Sequence, residues 1–110
     1  MKYVRIRNWV KHQAISGRNA SFIKLKVSAL RSQSLMDLEV AERWAFVGLL
    51  MVAASAGNVF KRNPRLLGRL VMADGPIDID AMVEAGLLEP MSEEDAEAEI
   101  ARLDAWDAEL

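Results

Sequence analysis

A chain of 110 residues, 52% hydrophobic and 27% charged, is long enough for one domain with a modest core and too apolar for a disordered segment. The absence of cysteine excludes disulfides and thiolate metal sites, and the single histidine, His12, leaves mainly carboxylates to build any metal centre. The net charge of −2 conceals a division: residues 1–72 hold thirteen of the fourteen Lys/Arg and three acids (net +10), whereas residues 73–110 hold Arg102 and thirteen acids (net −12). That asymmetry predicts a polyanion-facing body and an acidic tail; the plainer alternative is that the two halves neutralise each other on folding.

Lys2 to Val10 alternates, with Tyr3, Arg5, Arg7 and Trp9 on one face and Val4, Ile6, Asn8 and Val10 on the other, which predicts a strand. The interspersed charges are unlike a secretory leader, so a cytoplasmic setting is expected. Residues 11–20, with Ser16-Gly17-Arg18-Asn19, read as a loop. In SFIKLKVSALRS (21–32) both periods fit in part; Phe22, Ile23, Val27 and Leu30 favour a helix, broken at Ser32-Gln33-Ser34. The next helix is expected to start from an Asp37 cap, carry Glu39 and Glu42 in its first turns, and stop at Gly57. Its stretch WAFVGLLMVAASAGNVF is uncharged for 17 residues, short of a comfortable membrane span, and is read as a core helix covered on most sides.

Asn58-Val59-Phe60 reads as a brief extended piece, and Asn63-Pro64 as a cap and first position of a short helix to Met72. That helix should turn Leu66, Leu67, Leu70 and Val71 inward and leave Arg65 and Arg69 on one edge. After the turn Ala73-Asp74-Gly75, Pro76 is expected to open a second short helix with Ile77, Ile79, Met82 and Val83 inward, closed by Ala85-Gly86. Leu87-Leu88-Glu89 then reads as a strand able to pair with the amino-terminal one. Ser92-Glu-Glu-Asp begins an acidic terminal helix with Ala96, Ile100, Leu103 and Trp106 along one stripe.

This order predicts an α+β, mainly helical fold: a winged helix-turn-helix over residues 1–90 with an N-terminal strand, followed by an extra acidic C-terminal helix over 91–110. The segments IRNWVKHQ, FIKLKVSAL, LMDLEVAERWAFVGLLMVAA, PRLLGRLV and MVEAGLLEP together resemble the N-terminal winged-helix domains of phage replication initiators. These are the replisome organisers, akin to bacterial DnaD-type domains, and the resemblance spans roughly residues 3 to 90. It implies a DNA-binding or assembly domain acting in phage or prophage DNA replication or its control. The family's longer C-terminal region, which engages helicase-loading machinery, has no counterpart in the acidic residues 91–110.

For DNA, the phosphate contacts are expected from Lys2, Arg5, Arg7, Lys24, Lys26, Lys61, Arg62, Arg65 and Arg69, with a steep salt dependence. The helix in the recognition position instead carries Asp78, Asp80 and Glu84, which repel phosphates and disfavour major-groove insertion there. A basic protein partner for that face, such as a replication protein, is the second reading, and a transcription regulator the third. The tail has three readings: it folds over the basic face and competes with DNA, it joins a second copy through Ile100, Leu103 and Trp106 as a homodimer, or it packs on its own domain. Nothing calls for a cofactor. The acids at 74, 78, 80 and 84 lack the glycine placement of a calcium loop, and there is no Ser/His pairing or Gly-rich phosphate loop, so a non-enzymatic protein is expected.

Overall fold

The computed structural model describes residues 2–14 and 17–109. Strand β1 (Tyr3–Ile6) is shorter than the alternation predicts. Asn8, in the left-handed region at φ 57°, turns the chain into a five-residue helix α1 (Trp9–Gln13), a conformation Asn tolerates better than most residues. Trp9 is thereby buried and Val10 exposed, the reverse of a continued strand for Val10. Of the expected loop over 11–20, residues 15 and 16 lie outside the described residues.

The segment from Ser21 departs furthest from expectation. Residues 21–26 hold no regular structure, a 3-10 helix covers Val27–Arg31, and a one-turn helix α2 (Gln33–Met36) forms where a break is predicted. The Ser32 hydroxyl caps α2 by accepting from Leu35 N–H at 3.3 Å. Phe22 and Leu25, on irregular backbone, and Val27 and Leu30, on the 3-10 helix, stand exposed, and Ile23 alone of the predicted helical set is partly buried.

Helix α3 (Val40–Ala56) is the central element, with Leu49 and Ala53 fully buried. Its N-cap position is Glu39; Asp37 instead closes α2 and accepts from Gln33 Nε2 at 2.7 Å. Gly57, at φ 104°, ends the helix as expected. Burial is not all round, because Val40, Trp44 and Met51 lie on an open stripe at helical spacing.

Strand β2 (Phe60–Lys61) leads into α4 (Pro64–Leu70), whose Asn63 cap accepts from Leu66 N–H at 3.1 Å. Leu67 and Val71 are buried as expected, whereas Leu66 and Leu70, expected inward, are exposed, because Leu67 and Gly68 take the inner face of the helix. Helix α5 (Ile79–Glu84) starts three residues after Pro76, because the Asp78 carboxylate accepts from Ala81 N–H at 3.0 Å and fixes the start there. Its end is a Schellman closure: Gly86, at φ 79°, donates to Val83 O and Leu87 donates to Met82 O, both at 3.0 Å. Strand β3 (Leu88–Met91) follows, then α6 (Glu93–Glu109), with Ser92 Oγ accepting from Asp95 N–H at 3.0 Å.

The three strands form one antiparallel sheet in the order β2-β1-β3, with Ile6 opposite Leu88 and Val4 opposite both Phe60 and Pro90. Pro90 is tolerated because β3 is an edge strand. Val4, Ile6, Phe60 and Leu88 join the main core with α3, α4 and α5. The result is an α+β, mainly helical fold with a small sheet. The helices α3 and α4 approach closely: a Cβ on Gly48 would lie 2.7 Å from Val71 Cβ. No helix among the described residues is long and apolar enough to cross a membrane.

Candidate nucleic-acid interface

The charge division of the sequence is offset in part by pairing across the fold. Lys2 meets Glu93 at 3.9 Å, Arg5 Nε meets Glu89 at 2.6 Å, Arg18 Nη1 meets Asp104 at 3.0 Å and Asp107 at 2.8 Å, and Arg62 meets Asp80. Each of these pairs joins a cation from residues 1–72 to an acid from 73–110. The Arg5–Glu89 pair follows from strand register, since the two residues are directly opposite on β1 and β3. Lys2–Glu93 is long and open to water, and contributes little.

Three of the nine cations expected to meet phosphate are therefore engaged internally: Lys2, Arg5 and Arg62. The other six, Arg7, Lys24, Lys26, Lys61, Arg65 and Arg69, are exposed and make no ion pair among the described residues. They fall into two settings. Arg65 and Arg69 sit four residues apart on the outer face of α4, because Leu67 and Gly68 take the inner one. Lys61 precedes them on β2, its side chain outward while Phe60 faces the core. Arg7, Lys24 and Lys26, by contrast, line a groove of about 340 Å³ between the amino-terminal turn, residues 24–35 and α3. The Gln13 side chain is buried and bonds the Lys24 backbone both ways, accepting from its N–H at 2.7 Å and donating to its carbonyl at 2.8 Å.

The acids of α5 are only partly free. Asp78 is the helix cap, and its own N–H donates to Glu42 Oε2 at 3.0 Å. Asp80 holds Arg62, and Glu84 is exposed without an ion pair among the described residues. Of the residues expected to bind a partner through the tail, Leu103 is fully buried, its Cδ1 pressed against Gly57 at the end of α3. It is thus a contact within the chain, not an outer surface. Trp106 lies over Gly17, where a Cβ would come within 2.6 Å of the indole, and Ile100 is half-buried.

Arg18 is the residue that sequence reasoning missed. Its Nε donates to Ala56 O at 3.0 Å while Nη1 reaches Asp104 and Asp107, tying α6 to the end of α3. The hydrogen bond to Asp107, against an opposing effect of desolvation and with help from Asp104, raises the pKa of the Arg18 guanidinium above its ordinary value. Its partners lie 86 and 89 residues away, so no local signal marked it. Among the described residues no group of three or more His, Asp or Glu is placed to hold a metal ion. No protein-family model, curated protein or solved structure matches this chain.

Proposed function

We propose that this protein is a non-enzymatic winged-helix DNA-binding protein of phage or prophage type, acting in DNA replication initiation or its control. The observation that carries the DNA reading is the outer face of α4. Arg65 and Arg69 protrude there one turn apart with no carboxylate among the described residues paired to either, and Lys61 stands beside the helix entry. Protruding, unpaired cations neutralise phosphates without first breaking an internal ion pair. The winged-helix reading is supported by the chain order β1, α3, β2, α4, α5, β3, with β3 returning from the second short helix to pair with β1. The replication role rests on the resemblance of residues 3–90 to replisome-organiser domains.

In this reading α4, not the acidic α5, meets the duplex. Asp78 and Asp80 support the fold as a cap and as the partner of Arg62. Arg7, Lys24 and Lys26 rim a concavity, which a stiff duplex does not enter. Three phosphate contacts give weak, sequence-independent binding, in the roughly 10⁻⁴ to 10⁻⁶ M range of non-specific association at physiological salt.

The test is charge reversal followed by fluorescence anisotropy with labelled duplex at low salt. Arg65→Glu with Arg69→Glu should abolish the binding, while Asp78→Asn with Glu84→Gln should leave it intact or strengthen it. Retention of binding in the arginine variant overturns the assignment to α4. A second reading, a protein-interaction winged helix, is favoured by the open apolar stripe of Val40, Trp44 and Met51 on α3. It predicts a partner whose capture survives loss of Arg65 and Arg69.

A further inference from the structure

The groove between the amino-terminal turn and residues 24–35 differs in kind from the α4 surface. Its rim carries Arg7, Lys24 and Lys26, with His12 beside them, and no Asp or Glu is among the described residues that line it. In a chain with sixteen acids, five of them paired elsewhere with cations of residues 1–72, an acid-free concavity concentrates positive potential. The floor is apolar, formed by Trp9, Leu35, Phe46, Leu50 and Leu87. At about 340 Å³ it is at the small end of the roughly 300–1,000 Å³ range of ligand pockets, room for a pair of apolar side chains rather than a large ligand.

The wall is set in place from beneath. The buried Gln13 side chain holds the Lys24 backbone through two short hydrogen bonds, so Lys24 stands at the rim although residues 21–26 have no regular structure. Arg7 is fixed similarly, its N–H donating to Leu87 O at 3.0 Å, and its guanidinium passes over Gly86. Outside the groove the same segment presents Phe22, Val27 and Leu30 to solvent. An apolar concavity rimmed by charge of one sign has the make-up of an interaction site.

We propose that this groove docks an acidic amphipathic segment of a partner protein, with apolar anchors on the Trp9–Phe46–Leu50 floor and carboxylates on Arg7, Lys24 and Lys26. Charge complementarity selects the sign of the partner. The apolar floor selects its amphipathic character, because a phosphate backbone covers cations but leaves such a floor wet. This is the helix-in-groove mode of recognition, with anchors at helical spacing.

The probe is a fluorescein-labelled amphipathic helical peptide with glutamates on one face and leucine and phenylalanine on the other, measured by anisotropy against the full chain. The matched peptide with every Glu replaced by Gln, a duplex and an oligo(dT) strand are the comparison ligands. The glutamate peptide should bind saturably and the glutamine peptide about tenfold or more weaker. Lys24→Glu with Lys26→Glu should weaken the glutamate peptide by about tenfold or more, and Leu25→Ser, at an exposed wall position, should weaken it without changing duplex binding. Arg65→Glu with Arg69→Glu should leave the peptide untouched, so failure of the duplex assignment and failure of this one are read separately. Equal binding of the glutamine peptide, or absence of saturable peptide binding, overturns the proposal. Loss of oligo(dT) or duplex binding in the lysine variant with peptide binding unchanged also overturns it, and makes the groove part of the nucleic-acid site.

Discussion

Replacing Leu103 with alanine tests whether the acidic terminal helix is a built-in part of the domain. Leu103 is fully buried, and its Cδ1 occupies the notch left by Gly57, the residue that stops α3. Truncating a fully buried leucine costs about 2–5 kcal/mol, through lost transfer energy and the cavity left behind. The site lies beside an end of α3 rather than at the centre of the core, so collapse is easier and the lower half of that range is expected. At roughly 4 °C per kcal/mol for a domain of this size, the midpoint of thermal unfolding should fall by about 8–14 °C. Urea and thermal unfolding followed by circular dichroism measure the change, and the fluorescence of Trp106, which packs over Gly17, reports on α6. A loss below about 0.5 kcal/mol, the level of ordinary surface substitutions, would refute the packing and return α6 to the status of a free partner surface.

Two further outcomes follow from close contacts and pairing. Gly48→Ala places a methyl 2.7 Å from Val71 Cβ at the α3–α4 crossing, and should destabilise by about 1–3 kcal/mol in urea unfolding. Asp80→Asn removes the partner of Arg62 and frees a cation beside Lys61; duplex affinity should rise, with the salt slope of log K steepening by about 0.9 for one added phosphate contact. Unchanged affinity in that variant would mean that Arg62 does not face the duplex.

What the sequence made legible was what short-range chemistry decides. Asn63-Pro64 marked the start of α4, Gly57 and Gly86 marked two helix ends, and Ser92 marked the start of α6, because caps and left-handed turns act over a few residues. The pairing of the amino-terminal strand with Leu88 was also readable, since the first run alternates and Leu87-Leu88-Glu89 follows the glycine-closed helix as a short strand. Residues 21–36 were not: the apolar positions of 21–32 fit a helix and a strand each in part, yet the chain leaves 21–26 irregular, winds 27–31 into a 3-10 helix and forms α2 where a break is expected. The start of α5 was misplaced because Pro76 and Asp78 both signal a helix entry, and the carboxylate bond to Ala81 decides between them. At the site, the cations were legible as residues but their pairing was not. Nothing local in the sequence places Arg5 against Glu89, Arg62 against Asp80 or Arg18 against Asp107, so which cations stay free depends on tertiary packing. The groove was missed for the same reason, because its floor comes from α1, α2, α3 and Leu87 at once.

The central claim is that the unpaired cations of α4 carry the contact with DNA. Its most direct measurement is the salt dependence of duplex binding, by anisotropy, for the native chain and for Arg65→Ala with Arg69→Ala. Each phosphate neutralised contributes about 0.9 to the slope of log K against log salt, so the double variant should bind more weakly with a slope shallower by about 1.8. A slope identical in the two proteins, or a native chain whose binding does not respond to salt, would contradict the account.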